Sequence, residues 1–304
     1  MAATSYTYDR AFTRLVDSIL CSPGKDFESI RFREWQRTLF FLARRVEDTS
    51  VLFEGLYGMR HFLPEGGNLH PWISTYNIAM TRPLKHFHRL RLQVAQAWHL
   101  MLVGSLSAAE TILCMANDII KDLPTYRAYP VHVPTRILEL DLAAYKLMLR
   151  SLRSVGTREI NEAVYYRSEA NRFGRPAQRG RAELALAAVK FSAGMIESAE
   201  SNLDSAYRYF EKRNMNTEAG FAAFGLGRFY CDRDGIDPLE HPPGDRGRLW
   251  LVKAALHFSN IGLPFGLKLV TPYLRHIEIE LPKFEKPVLI PPYDIPPTER
   301  FNTN

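Results

Sequence analysis

The chain has 304 residues, of which 46% are hydrophobic and 24% are charged, and its formal net charge is +6. This composition is typical of a folded protein with a sizeable core, and no segment approaches the ~18 to 20 uninterrupted apolar residues that cross a bilayer. Three widely separated cysteines argue against a disulfide framework and form no metal-ligand motif. We therefore expect an intracellular, cytoplasmic protein, with the nucleus not excluded, that binds no membrane, metal or cofactor.

The first part of the chain, residues 1–80, is helical in pattern. Apolar residues recur three and four apart in Phe32–Val46 and Val51–Leu63, and Thr49 or Ser50 is the expected N-cap of the second of these helices. The following segment, PEGGNLHPW, predicts a break because it combines proline, glycine and asparagine. We interpret this region as an N-terminal helical cap or as degenerate repeats.

Two later segments, 91–116 and 181–206, repeat each other at eight of 26 aligned positions, and we call them the first and second echo copies. The identical pairs are Arg91/Arg181, Ala95/Ala185, Ala97/Ala187, Gly104/Gly194, Ala109/Ala199, Glu110/Glu200, Leu113/Leu203 and Ala116/Ala206. In each copy the glycine is expected to end a first helix, since it accepts the left-handed conformation found just past helix C-termini. A repeated helical hairpin buries its apolar face by stacking on copies of itself.

Small residues also recur at a seven-residue spacing in the second helix of each predicted hairpin. Two turns of helix separate such residues, so each pair shares one face and allows a neighbouring helix to approach closely. The pairs are Ala109/Ala116, Ala163/Ala170, Ala199/Ala206 and Gly247/Ala254. The four pairs together predict four helical hairpins.

The step Leu226-Gly227-Tyr230 follows, with Gly227 forty residues after Ala187. With the small residues described above, it resembles the tetratricopeptide repeat, whose first helix is marked by a Leu-Gly-x-x-Tyr step. The resemblance covers about two thirds of the chain, and we assign residues 81–281 to such repeats. It implies an all-α fold, a right-handed superhelical solenoid of antiparallel helix pairs. Two connections, Pro124–Pro134 and Cys231–Arg246, interrupt the regular spacing.

The end of the chain, residues 282–304, differs from the rest. Six of the 19 prolines lie between Pro282 and Pro297, which predicts an extended segment. It either recruits a partner or lies along the solenoid and covers the last helix. We favour the second interpretation because Val288, Leu289 and Ile290 would otherwise be exposed together.

A curved solenoid presents a concave surface to partners, and the two echo copies predict which side chains line it. The groove residues are Arg91, Val94, Trp98 and Met101 in the first copy and Arg181, Leu184, Ala188 and Phe191 in the second. An apolar groove with arginines at its rim suits a peptide or helix that carries acidic and hydrophobic residues. The alternative is that neighbouring elements cover these positions.

Arginine outnumbers lysine 29 to 10, and one cluster defines a predicted basic patch. It comprises Arg167, Arg172, Arg175 and Arg179, with Tyr165, Tyr166 and Phe173 interleaved. Arginines beside aromatic residues are typical of single-stranded nucleic-acid binding. An ordinary solvated turn between helices accounts for the same residues.

No catalytic motif is apparent. The nine histidines form no metal-ligand pattern, and no phosphate-binding loop or nucleophile elbow occurs. We therefore predict a non-catalytic protein-protein interaction scaffold that binds a peptide or helix, in a regulatory or assembly role. The alternatives are a helical repeat protein that binds single-stranded RNA and an enzyme with an unrecognised helical active site. The sequence does not predict the oligomeric state.

Overall fold

The computed structural model describes residues 2–21, 38–60, 69–122, 133–153, 155–237, 239–275 and 277. Within these residues every regular element is a helix, which confirms the all-α prediction. The elements are α1 (Ala2–Cys21), α2 (Thr49–Met59), α3 (His70–Met80), α4 (His86–Leu102), α5 (Leu106–Asp122), α6 (Val133–Ser151), α7 (Thr157–Phe173), α8 (Pro176–Ser192), α9 (Ile196–Glu211), α10 (Asn216–Arg233), α11 (Asp245–Asn260), α12 (Pro264–Val270) and a 3-10 helix (Thr271–Leu274). A short helical stretch at residues 38–43 precedes α2.

Helices that are neighbours in the sequence pack on each other, which is consistent with a helical repeat. The described helices form two compact units, α1–α5 and α6–α12 with the 3-10 helix. In the first unit, α4 packs on α2, α3 and α5; in the second, α8 packs on α6, α7, α9 and α10. The division falls between Asp122 and Val133, so the helices of the region predicted as an N-terminal cap share a unit with the first echo hairpin.

The two echo glycines end their helices as predicted. Gly104 and Gly194 have φ angles of +78° and +75°, and each follows the last turn of a first helix. The next amide reaches back across the turn, from Ser105 to the carbonyl oxygen of Leu100 and from Met195 to that of Lys190, both at 2.9 Å. This is the hydrogen-bond pattern of a Schellman motif, and it turns the chain into α5 and α9.

The seven-residue spacing of small residues also has the predicted result. Each pair lies on the second helix of a hairpin, on α5, α7, α9 and α11 respectively. All seven alanines are at most 1% exposed and Gly247 is buried. The side chains are small enough for close packing with the preceding helix, so the sequence pattern identified four helical hairpins correctly.

On two first helices, a glycine packs against an aromatic ring of the second helix of the same hairpin. A Cβ atom at Gly180 on α8 would lie 2.8 Å from the Phe210 ring, and one at Gly220 on α10 would lie 2.5 Å from the Phe258 ring. Both rings are fully buried. Gly220 follows Gly180 by forty residues, so the α8–α9 and α10–α11 hairpins use the same contact in the register that relates Ala187 to Gly227.

Two local predictions in the first unit were wrong. Asp48, rather than Thr49 or Ser50, caps α2, because its carboxylate accepts hydrogen bonds from the amides of Ser50 (2.7 Å) and Val51 (3.3 Å). The break predicted by PEGGNLHPW ends earlier than expected, since Pro71 lies in the first turn of α3. Proline is favoured there because the first amides of a helix have no intrahelical acceptor.

Other predicted segments fall partly or wholly outside the described residues. The tail at 282–304 and most of the Pro124–Pro134 connection lie outside them, as does the beginning of the predicted helix Phe32–Val46. The predicted interruption at Cys231–Arg246 is confirmed in substance, because α10 ends at Arg233 and α11 begins only at Asp245.

One buried histidine makes the stability of the first unit depend on pH. His99 is 0% exposed, its Nε2 lies 2.8 Å from the carbonyl oxygen of Arg60, and its Nδ1 has no hydrogen-bond partner among the described residues. Because Nε2 faces an acceptor, the neutral ring carries its proton there. Burial lowers the pKa of His99 to about 4, against the opposing effect of the hydrogen bond with Arg60.

We expect acid to destabilise the first unit through His99. The unfolded chain binds a proton on this residue near pH 6.5, whereas the folded chain does so only near pH 4. The stabilisation is therefore complete above pH 6.5 and is lost as the pH falls towards 4, by on the order of 3 kcal/mol. Urea unfolding followed by tryptophan fluorescence at pH 7.5 and 5.0 measures the effect, since three of the four tryptophans precede residue 123. His99→Gln, which keeps an N–H donor, should reduce the difference between the two pH values; an unchanged difference would count against this assignment.

Candidate functional site

Most of the groove residues predicted in the first echo copy are not accessible to a partner. Val94 and Trp98 are only 5% and 8% exposed, and Met101 is half-buried. The Arg91 guanidinium lies 4.8 Å from the centre of the Tyr57 ring and 4.5 Å from that of Phe87. These contacts are cation–π interactions within the first unit, so most of this set packs against its own unit.

The second copy contains a buried ion-pair ladder. Arg181 on α8 is 2% exposed; its Nη1 donates to Asp141 on α6 at 3.0 Å and its Nη2 donates to Glu218 on α10 at 2.8 Å. Burial acts to lower the pKa of Arg181, but Tyr145 and the two carboxylates raise it well above its usual value. The expectation of a rim position for Arg181 was wrong, because this charge connects three successive first helices in the interior.

The remaining groove residues of α8 differ in exposure. Leu184 is buried at 8% exposure, whereas Ala188 and Phe191 are only half-buried. Within α8, the accessible part of the predicted surface is therefore the C-terminal half of the helix.

Phe191 belongs to a set of partly accessible residues that we call the aromatic strip. The strip consists of Phe191 on α8, Phe224 and Arg228 on α10, and Tyr273 in the 3-10 helix. The three rings are half-buried and Arg228 is exposed. The strip thus combines accessible apolar area with one accessible cation.

Two contacts join the members of the strip in pairs. The Arg228 guanidinium carbon lies 5.3 Å from the centre of the Phe191 ring, and the Phe224 and Tyr273 rings meet edge-on with centroids 5.3 Å apart. Phe224 and Arg228 are four residues apart and share one face of α10. Among the described residues no carboxylate pairs with Arg228, so its planar donors are available to an acceptor on a ligand.

Three strip residues were missed in the sequence, although a signal for two of them was present. The forty-residue shift from Ala187 to Gly227 also relates Leu184 to Phe224 and Ala188 to Arg228. Extending the predicted groove by one repeat along this shift would have identified both. Tyr273 lies after the last predicted hairpin, where the repeat register provides no guide.

The predicted basic patch is largely engaged with the protein. Arg167 donates from Nε to Glu183 at 2.6 Å, and Glu183 also accepts from Asn202. Arg172 lies over the Phe173 ring at 4.7 Å, and Arg179 donates from Nε to the Gly174 carbonyl at 3.1 Å. Arg175 directly precedes α8 and is half-buried. These interactions stabilise the α7–α8 turn, while Arg167 and Arg172 remain exposed.

One cluster of titratable groups lies between α9 and α11. The Tyr207 hydroxyl donates to Glu211 at 2.5 Å and lies 3.4 Å from Nε2 of His257, whose Nδ1 is 3.1 Å from Asn216. Burial, reinforced by the hydrogen bond to Glu211, raises the pKa of Tyr207, and burial lowers that of His257. Both groups are therefore neutral at pH 7. The Tyr207–Glu211 contact lies within α9, and the contacts of His257 join α11 to α9 and α10. The expectation that the chain is not an enzyme remains a prediction.

No helix among the described residues is long and apolar enough to cross a membrane. In the same part of the chain, no group of three or more His, Cys, Asp or Glu side chains is arranged to hold a metal ion. No protein-family model, curated protein or solved structure matches the chain. The functional inference therefore depends on the residues themselves.

Proposed function

We propose that the chain is a protein-interaction module whose aromatic strip binds an extended segment of a partner protein. The observation that carries this proposal is the pair of contacts, Arg228 with Phe191 and Phe224 with Tyr273, whose members Phe224 and Arg228 are one helical turn apart on α10. Half-buried rings offer contact area to apolar side chains, and the exposed guanidinium offers a bidentate donor to a carboxylate. The partner segment should therefore carry apolar residues beside an aspartate or glutamate.

We further propose that the helices form a right-handed solenoid of the tetratricopeptide type. Three features support this: the Leu226-Gly227-Tyr230 step, the forty-residue relation of Gly180 to Gly220, and the packing of α8 on both α6 and α10. In such a solenoid the first helices line the concave face, and the strip lies mainly on first helices. The nucleic-acid alternative has less support, because Arg167 and Arg179 donate hydrogen bonds to groups within the protein.

Selection of peptides against the full chain tests the proposed function. A phage-displayed library should yield peptides in which apolar residues or proline flank an acidic residue. Phe224→Ala and Arg228→Glu should each weaken their binding roughly 10- to 50-fold, the effect of removing a central interface residue. Titration calorimetry or fluorescence anisotropy with one synthetic peptide measures the loss.

Two exposed residues outside the strip provide matched controls. Leu249→Ala removes a 53% exposed apolar side chain from α11, and Arg208→Glu reverses the charge of a side chain that is 76% exposed on α9. Both controls should bind the peptide as the wild type does. If the strip variants also bind with unchanged affinity, the strip is not the recognition surface.

A further inference from the structure

We propose that the first unit binds a structural water molecule between α3 and α4, held by Tyr76, Gln96 and His99. All three side chains are at most 2% exposed. Each has one polar atom without a hydrogen-bond partner among the described residues: the Tyr76 hydroxyl, Gln96 Oε1 and His99 Nδ1. Buried polar groups nearly always have a partner in folded proteins, so three such atoms on one pair of helices indicate a bound polar molecule.

Two contacts between α3 and α4 bring these side chains into one cluster. The ring centroids of Tyr76 and His99 are 5.4 Å apart, and Gln96 Nε2 donates to Asn77 Oδ1 at 2.7 Å. Tyr76 and Asn77 are adjacent on α3, while Gln96 and His99 are three residues apart on α4 and share one face of that helix. The unpartnered atoms therefore belong to side chains that meet across a single helix interface.

The hydrogen-bonding roles of the three atoms select water. His99 Nε2 faces the Arg60 carbonyl oxygen at 2.8 Å, so the neutral ring presents Nδ1 as an acceptor. Gln96 Oε1 is also an acceptor, because the amide nitrogen is the group that donates to Asn77. Burial raises the pKa of Tyr76, so its hydroxyl keeps the proton and is a donor. One water molecule donates two hydrogen bonds and accepts a third, which matches the usual coordination of buried water.

An ion fits the same cluster poorly. An anion would face two acceptors, Gln96 Oε1 and His99 Nδ1, and one donor. Burial is the main influence on the pKa of Tyr76 and of His99, but the positive charge of Arg60 acts to lower both values. A second cation beside these groups would therefore be repelled. A small neutral molecule that both donates and accepts is the ligand that this arrangement favours.

Bound in this way, the water connects two helices. It accepts from Tyr76 on α3 and donates to Gln96 and His99 on α4, so one molecule satisfies three buried polar groups. Its hydrogen bond to Nδ1 also favours the neutral His99 ring, because Nδ1 no longer accepts once it carries a proton. The water is thus part of the buried structure that makes the first unit sensitive to acid.

A high-resolution crystal structure of the full chain at pH 7.5 tests this proposal. We expect one ordered water oxygen within about 2.6–3.2 Å of the Tyr76 hydroxyl, Gln96 Oε1 and His99 Nδ1. In solution, the same water should give nuclear Overhauser cross-peaks to ring protons of Tyr76 and His99. A side chain from residues 61–68 at this position, or no ordered water together with no cross-peaks, would overturn the proposal.

Tyr76→Phe tests the assignment of the hydrogen bonds, because it removes the donor and leaves both acceptors. We expect the water cross-peak to His99 to weaken at least 3-fold. Tyr165→Phe removes the hydroxyl of a side chain that is 56% exposed in the second unit, and it should leave this cross-peak unchanged. A cross-peak of wild-type intensity in Tyr76→Phe would contradict the proposed role of the hydroxyl. The wild-type crystal structure decides the presence of the water even if this variant does not fold.

Discussion

Replacing Arg181 by methionine is expected to lower the free energy of unfolding of the second unit by about 3–5 kcal/mol, the cost of breaking a buried ion pair. The substitution leaves the carboxylates of Asp141 and Glu218 without the cation that now binds both of them. Urea unfolding followed by circular dichroism measures the loss. Arg208→Met on the surface should change the free energy by less than about 0.5 kcal/mol.

A triple substitution separates lost charge pairing from lost packing. Replacing Asp141 and Glu218 by leucine in the Arg181→Met background removes the stranded carboxylates, and apolar replacement of a whole buried ion cluster is often neutral or stabilising. We expect this variant to recover most of the stability lost by Arg181→Met alone. If Arg181→Met is no more destabilising than Arg208→Met, the ladder does not hold the first helices together.

Phe258→Ala should be similarly costly, at about 3–5 kcal/mol, the usual range for removing a buried aromatic side chain. The ring is 0% exposed and packs against both Gly220 on α10 and Gly266 on α12, so three helices line the cavity that alanine would leave. Chemical unfolding of the variant at pH 7.5 gives the change in free energy.

Gly220→Ala provides the matched test of this close packing, because its sign should depend on the background. In the wild type the added Cβ would lie 2.5 Å from the Phe258 ring, and overpacking of this kind costs typically 1–3 kcal/mol. In Phe258→Ala the space is free, and the higher helix propensity of alanine should make the same change neutral or stabilising by up to ~1 kcal/mol. Equal effects in both backgrounds would contradict the packing described here.

Features that follow from local backbone rules were predictable from the sequence. Gly104 and Gly194 end helices because glycine readily adopts the positive φ that this turn requires. The preference of glycine for this conformation can be recognised without knowing the fold. The alanine pairs lie on buried faces because two turns of helix align residues seven apart. Both patterns depend only on sequence neighbours, so they identified the hairpins and their turns.

Features that depend on contacts between distant helices were not predictable in the same way. Arg181 has the residue type and repeat position of a rim residue, and only the approach of α6 and α10 makes it an interior charge. Its acceptors, Asp141 and Glu218, lie forty residues before and 37 residues after it, close to the repeat spacing. The prediction of the α2 N-cap failed for another reason. Asp48, Thr49 and Ser50 are all acceptable N-cap residues, and the residue at which the helix begins determines which of them is the cap.

Exposure, rather than residue type, distinguished the aromatic strip from the predicted groove. Trp98 and Leu184 are apolar in the manner of groove residues but are buried, whereas Phe224 stays half-exposed. Burial depends on which neighbours cover a helix face. The repeat register located the correct face of α8 but gave no measure of how far that face is covered.

Hydrogen exchange of the full chain with and without a selected peptide tests the central claim most directly, because it locates the peptide without any substitution. If the peptide binds the aromatic strip, we expect slower amide exchange in the C-terminal half of α8, in α10 near Phe224 and Arg228, and in the 3-10 helix around Tyr273. Protection confined to α4, or to the α7–α8 turn that carries Arg172 and Arg175, would contradict the assignment of the recognition surface to the aromatic strip.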